Sequence, residues 1–224
     1  MLDRRAALRI VPVLALAAAC GHPEGSVVGQ YFNAVNAQDQ QTLSSFAVVD
    51  FDQKVDDWSI VETRPEARVA APLPDLIQKV KAAEGQVAEN KSAYSAYFNE
   101  HPVEVDQVRE LLKKPDAKIP ARLQAHAEQW QGFTQKEKTL KRAAAEAKAA
   151  ADREKKAVAL SVGEVSDLDS LTGELVTKDL ALRLTLDGQA KPYLMTLIKY
   201  ELEPSGTGQR LMSRWVVQSL KPEG

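Results

Sequence analysis

The spacing of hydrophobic residues changes twice along this 224-residue chain and divides it into three parts. Residues 26–71 combine a helical pattern with a short alternating one, residues 72–158 keep helical spacing throughout, and residues 159–224 alternate. Helical spacing places apolar side chains on one face of a helix, whereas alternation places them on one face of a strand. The pattern therefore predicts an α+β body, formed by 26–71 plus 159–224, that is interrupted by a helical segment.

The first part predicts one helix and one strand. Ser26 is a typical N-cap residue, and the apolar stripe after it predicts a helix over 27–46. Residues 55–63 then alternate, which predicts a strand. One face of that strand is expected to carry Trp58, Ile60 and Glu62.

The last part predicts three antiparallel strands. Leucines alternate over 180–186, the turn pair Asp187-Gly188 ends this run, and a second apolar run covers 192–202. The Gly-containing turn 204–208 separates that run from a last strand over 211–220. With the earlier strand, this predicts an N-terminal helix on a small antiparallel sheet of about four strands.

Residues 72–158 predict a long antiparallel coiled-coil hairpin inserted between the first and second strands. Apolar residues keep heptad a/d spacing on both sides of the turn signal at 113–118. Positions on the two sides pair at a nearly constant sum of residue numbers, as for Val108 with Leu123, so one register satisfies both stripes. Pro102 removes a backbone donor and crowds the preceding turn, so we expect the rising helix to break just before it.

Aromatic residues gather near the middle of the predicted seam, and we single them out as candidate partner-binding positions. They are Tyr94, Tyr97, Trp130 and Phe133. The seam also carries the polar residues Asn90, His101, His126, Glu137 and Glu154. The two histidines, with Glu100 or Glu104, have the chemistry of metal ligands. Polar seam residues more often fix register or mark where the helices separate, so we predict no metal site.

Residues 1–19 predict a leader that is removed by processing. Arg4, Arg5 and Arg9 precede ten apolar residues at 10–19, a run that is too short to span a bilayer and typical of a signal peptide. Cys20, the only cysteine, follows directly. The arrangement resembles a bacterial lipoprotein signal, in which the cysteine receives acyl chains such as palmitate and becomes the first mature residue.

That resemblance implies a signal peptide at 1–19, a lipidated tether at 20–25 and a lipid-anchored location in the cell envelope. Because Gly21 follows the cysteine, it implies the outer membrane, facing the periplasm, if the organism has two membranes. Two alternatives remain open. One is an ordinary secretory signal with an unrelated cysteine, and the other is twin-arginine rather than general export through Arg4-Arg5.

Composition and motifs narrow the function further. The chain has 29 basic and 31 acidic residues, so nothing in its charge favours binding to nucleic acid. It has no nucleophile elbow, phosphate-binding loop or dinucleotide fingerprint, and the predicted body contains no histidine. We therefore predict no cofactor and no catalytic residue.

The body also resembles a known family. Residues 31–39 (YFNAVNAQD) in the first helix and the closing strand 214–220 (RWVVQSL) resemble the nuclear transport factor 2-like, or cystatin-like, α+β roll. The resemblance implies that the first helix packs across a curved sheet and encloses a cone-shaped pocket. Here the predicted hairpin would replace or greatly extend the second and third helices of the family, and no catalytic residue of its enzymatic branches carries over.

Together these features predict a non-enzymatic, membrane-anchored envelope lipoprotein whose helical segment binds a protein partner. A periplasmic holdase, with helical extensions on a β-body, is one alternative. The other is small-ligand binding or catalysis in the cone of the body. Acid–base chemistry there would rest on carboxylates and on Tyr31, Tyr193 or Tyr200.

Overall fold

The computed structural model of the protein describes residues 23–114, 117–165, 167–204 and 208–223. The described residues form an α+β fold with five α-helices and one open antiparallel sheet of five strands. The helices are α1 (Pro23–Ala37), α2 (Gln40–Phe46), α3 (Leu73–Glu100), α4 (Pro102–Leu112) and α5 (Gln124–Val162). The strands are β1 (Asp57–Thr63), β2 (Ala67–Ala70), β3 (Leu171–Leu186), β4 (Gln189–Pro204) and β5 (Val216–Pro222).

The sheet is built around one long hairpin. Strands β3 and β4 have 16 residues each and pair over their whole length, with β1 on the outer side of β3 and β5 on the outer side of β4. Asp187 and Gly188 connect them with φ angles of 50° and 73°. Two successive left-handed residues are what a two-residue hairpin turn of type I′ requires, and Asp-Gly is among the pairs that adopt them most readily.

Strand β2 was missing from the sequence prediction. Its four residues pair with Glu174–Thr177 of β3, beyond the end of β1. All four are exposed, so no alternation of apolar residues marks them. The sheet therefore has five strands rather than about four. In chain order the long helices lie between β2 and β3.

The face predicted for β1 is correct only as far as Ile60. Trp58 lies opposite Leu184 and Ile60 opposite Leu182, but a bulge follows and Glu62 lies opposite Ala181. Facing residues of adjacent strands share a side of the sheet, so the extra residue moves Glu62 to the other side.

The predicted N-terminal helix is two helices. Helix α1 begins at Pro23, three residues before the predicted N-cap Ser26, and proline suits a first helical turn because its missing N–H would be unpaired there. The chain leaves the helix at Gln38, whose φ is 54°. Asp39 then caps α2 by accepting hydrogen bonds from the Thr42 N–H at 3.0 Å and the Thr42 hydroxyl at 2.6 Å.

Two hydrophobic cores lie on opposite faces of the sheet. Under α1 and α2, buried Tyr31 and Phe32 pack on the sheet residues Leu180, Leu182, Leu184, Met195, Leu197 and Val217. On the other face, the residues Leu73, Ile77, Ala157 and Val158 of α3 and α5 pack on Ile198, Tyr200 and Leu202. Strand β4 thus sends alternate side chains to the two cores.

Helices α3, α4 and α5 are here called the helical arm, and both α3 and α4 pack against α5. The rising helix breaks at His101, with φ −131° and ψ 49°, and resumes at Pro102, so the predicted break is confirmed. Helix α5 starts at Gln124 rather than near Ile119, because Pro120 is extended and a short 3₁₀ turn follows it. Within the described part of the chain, no helix is both long and apolar enough to cross a bilayer.

The leader prediction lies outside the described residues. The signal peptide at 1–19 and Cys20 are not among them. Of the predicted tether 20–25, residues 23–25 belong to α1.

Candidate functional site in the distal helical arm

The four aromatic residues singled out in the sequence are brought together where α3 faces α5. The Tyr94 ring meets Trp130 edge-on at 5.3 Å between centroids and Phe133 at 5.9 Å. Tyr97 lies 5.8 Å from Phe133. All four are half-buried, and such ring pairs contribute about 0.5–1.5 kcal/mol beyond the area that they bury. They stabilise the arm and still present part of each ring at its surface.

The polar seam residues divide into two groups. Asn90 is buried, and its amide donates a hydrogen bond to the Phe133 carbonyl at 3.4 Å, as a register-setting residue would. Glu137 is exposed and pairs with Lys141. Glu154 lies at the arm's base and accepts a hydrogen bond from the Tyr200 hydroxyl at 2.6 Å, so it joins the arm to the sheet and is not a register device of the seam.

The two seam histidines lie next to each other at the break between α3 and α4. Their ring centroids are 4.9 Å apart, and the Tyr97 hydroxyl and His126 Nδ1 share a hydrogen bond of 2.7 Å. Burial and the nearby Glu104 carboxylate raise the pKa of Tyr97, so its hydroxyl stays protonated at neutral pH. In the described chain, no three His, Cys, Asp or Glu side chains are placed to hold a metal ion.

Sequence reasoning missed a depression of about 660 Å³ at the distal end of the arm. Its lining combines apolar and charged side chains from α4 and the segment before α5: Val103, Asp106, Glu110, Leu111, Lys114, Pro120, Arg122 and Leu123. Val103 is 62% exposed although it is apolar. Its position off the heptad stripe was the one signal in the sequence that could have revealed this surface.

The three tyrosines proposed for a cone in the body do not share a site. The Tyr31 hydroxyl donates to the Val49 carbonyl at 3.3 Å, and Tyr193 lies edge-on to Phe51 at 5.7 Å. Both belong to the core beneath α1, whereas Tyr200 faces the arm's base on the opposite side of the sheet. Burial raises the pKa of Tyr31 and of Tyr200, so neither is prepared to act as a base.

A cluster of charged residues lies on the α1 side of the sheet, beyond the core, and no sequence pattern indicated it. Its members are Glu24, Glu66, Arg68, Glu174, Lys178, Lys199, Glu201 and Arg210. Arg68 of β2 contacts Glu201 of β4 at 2.9 Å, and Lys199 lies 2.9 Å from the same carboxylate. Hydrogen bonds from Arg68 and Lys199 lower the pKa of Glu201 to about 2. Acids and bases balance in this cluster, so its main effect is to hold the strands together.

Comparisons with protein-family models, with curated proteins and with solved structures gave no match to this chain.

Proposed function

We propose that this protein is a lipid-anchored, non-enzymatic protein of the bacterial cell envelope and that its helical arm binds a protein partner. The lipid anchor follows from the resemblance of residues 1–20 to a lipoprotein signal. On this proposal the arm is a coiled-coil hairpin inserted between β2 and β3 of a body similar to the nuclear transport factor 2-like roll. Where the organism has two membranes, Gly21 favours the periplasmic face of the outer one.

The observation that carries the proposal is that the base of the arm packs on the body, whereas its distal part packs only on itself. Its base contributes Leu73, Ile77 and Val158 to the core of the body. Farther out, Val108, Leu123 and Ala127 form a separate buried cluster between the helices themselves. Ordering those distal residues costs conformational entropy and adds nothing to the body's core, so binding at a distance is the use that explains them.

The surfaces of the molecule favour a protein partner over the two alternatives. A holdase needs broad apolar surface, but the exposed large apolar residues described on the arm are Val103 and Leu112. An enzyme or ligand binder needs polar groups that converge on a pocket. The buried side chains beneath α1 pack against one another, and Tyr31 and Tyr200, two of the tyrosines considered for such a pocket, lie on opposite faces of the sheet.

Photocrosslinking in intact cells tests the proposal at the distal depression. A photoreactive amino acid at Val103, which is 62% exposed, should give a discrete protein adduct. Val61 on β1 is 58% exposed and is the matched control, which should give none. Equal adducts from both positions would indicate random contact and contradict a partner site on the arm.

A shortened arm provides the functional test. Removing all of 72–158 would also delete core residues, so we choose residues 84–147 and replace them with a short Gly-Ser turn. This keeps Ile77 and Ala157 in the second core and leaves Val80 beside Ala151. The variant should fold, judged by circular dichroism, and should fail to complement a deletion strain. Full complementation would rule out the proposed role of the arm.

A further inference from the structure

We propose that the face of the body around Trp215 and Met212 lies against the lipid bilayer that holds the acyl chains on Cys20. This inference rests on the proposed lipid anchor, and it adds which surface of the folded body meets the membrane. We choose the bilayer as the partner of this face because the chain between Cys20 and the fold is short. Gly21 and His22 alone separate Cys20 from Pro23, where α1 begins.

The tether is too short to let the body move away from the membrane. An extended chain covers at most about 3.6 Å per residue, so the three steps from Cys20 to Pro23 span at most about 11 Å. An acylated cysteine sits at the membrane surface. The first turn of α1, and whatever the sheet places beside it, must therefore lie close to the lipid headgroups.

The start of α1 is fixed to the sheet and cannot act as additional tether. Glu24 lies in the first turn of α1, is 3% exposed and forms an ion pair with Lys178 of β3. The position of Cys20 is thereby tied to one part of the sheet, near the middle of β3. The same ion pair determines which side of the body turns toward the membrane.

Trp215 lies beside that point. Its ring centroid is 6.0 Å from the Lys178 Nζ and 5.0 Å from the Lys199 Nζ. The indole is half-buried, and Lys178 and Lys199 beside it are cationic. Tryptophan and basic side chains favour the headgroup region, where a ring can be partly apolar and partly hydrated.

The segment before Trp215 supplies an apolar contact. Met212 is 94% exposed, and it precedes Trp215 by three positions, a distance of at most about 11 Å along an extended chain. The Arg210 side chain is 79% exposed and lies 3.8 Å from Glu201. An exposed methionine between a tryptophan and an arginine has the composition of a membrane-contacting loop.

Because the tether is short, even a weak contact between this face and the bilayer is enough to keep the two together. Two surfaces joined through a few residues meet at a high effective concentration, so Met212 and Trp215 need little intrinsic affinity for lipid. The neighbouring acids and bases balance, as in the Arg68–Glu201 and Lys178–Glu24 pairs. Contact should therefore occur on zwitterionic lipid and should change little with salt.

Fluorescence quenching on vesicles tests the inference. The full acylated protein is reconstituted in phosphatidylcholine vesicles that contain a lipid with a quencher on its headgroup. A fluorophore is attached at Met212→Cys, and Val103→Cys at the far end of the arm is the matched exposed control. Because Cys20 is acylated, each variant has one free thiol. Quenching should be several-fold stronger at position 212 than at position 103.

A spacer variant separates tethering from surface affinity. Inserting about ten Gly-Ser residues between His22 and Pro23 gives the body room to leave the surface. Quenching at position 212 should then fall toward the value at position 103. Undiminished quenching would contradict the inference that the short tether holds this face at the bilayer.

The remaining outcomes distinguish this inference from the proposed anchor. If the protein carries its acyl mass and sediments with vesicles but 212 and 103 are quenched equally, the docking face is wrong and the anchor stands. If position 212 is shielded from water without lipid quenching, a second copy or another protein covers it and the inference fails. If acyl mass is absent and the protein stays in solution, both proposals fail.

Discussion

The core beneath α1 and the seam of the helical arm show two ways of holding a protein together. In the core, large side chains from two helices and four strands form one cluster in which residues such as Phe32 and Leu182 are almost completely buried. In the seam, Tyr94 and Trp130 are half-buried and the separate buried cluster is three residues. The difference indicates that tertiary burial stabilises the body, whereas the arm depends more on local helix formation along Ala-rich α5.

The largest expected difference comes from matched leucine truncations. Leu182→Ala empties a site at the centre of the core and should cost about 2–5 kcal/mol of unfolding free energy. Leu140→Ala in the half-buried seam should cost less than half as much, because solvent can fill the space. Urea denaturation of both variants measures this. Equal losses would remove the distinction between the two regions.

Glycines sharpen the comparison, because one is required in the body and one is dispensable in the arm. Gly173 has φ 145°, and a Cβ there would lie 2.1 Å from the Glu201 carbonyl oxygen, so Gly173→Ala should destabilise the body by roughly 3 kcal/mol. Gly132 lies inside α5, and a Cβ there would have open space around it. Gly132→Ala should therefore stabilise the helix by about 0.5–1 kcal/mol. The denaturation midpoint should fall for Gly173→Ala and rise for Gly132→Ala.

Removing one hydroxyl should act on the arm alone. Tyr97→Phe deletes the 2.7 Å hydrogen bond to His126 and keeps the ring contact with Phe133. The expected cost is about 1 kcal/mol. Amide hydrogen exchange should accelerate in α3 and α5 near these residues and stay unchanged in β3. Faster exchange throughout the sheet would show that the seam and the body unfold as one unit.

The smallest expected effect is a pH dependence of the unfolding free energy that arises from one group in the body. The pKa of Glu201 falls from an ordinary 4.5 to about 2 because Arg68 and Lys199 donate hydrogen bonds to its carboxylate. Stability from this group is complete above pH 4.5 and is lost as the pH falls toward 2, since the unfolded chain binds the proton first. Glu201→Gln should reduce the loss of unfolding free energy between pH 4.5 and pH 2. Lys141→Gln, beside the exposed Glu137 of the arm, is the control and should leave this acid-induced loss of stability unchanged.

Sequence reasoning succeeded where the signal was local and repeated. The break before Pro102 follows from proline chemistry within one turn, and the Asp187-Gly188 turn follows from backbone conformations that few residues adopt. The seam aromatics could be found because a heptad pattern repeats many times. Their role as a partner-binding site stays a prediction, because the structure shows them in contact with each other.

Sequence reasoning failed where a distant part of the chain decides local structure. Strand β2 has four exposed residues, and its pairing with β3 alone makes it a strand. The bulge after Ile60 and the break at Gln38 likewise serve the fit of β1 and α2 to the rest of the body. No periodicity within these segments encodes such fits.

By itself, the sequence determined the α+β class, the order of the main helices and strands, and that Tyr94 and Trp130 lie together in the arm, because hydrophobic period and turn chemistry act over a few residues. The tertiary structure alone decided which strands pair with β3, which face of the sheet each core occupies, and that Glu24, Lys178 and Trp215 meet beside the start of α1. Those contacts join residues far apart in the chain. They depend on burial and register across the whole sheet, which no short window of sequence contains.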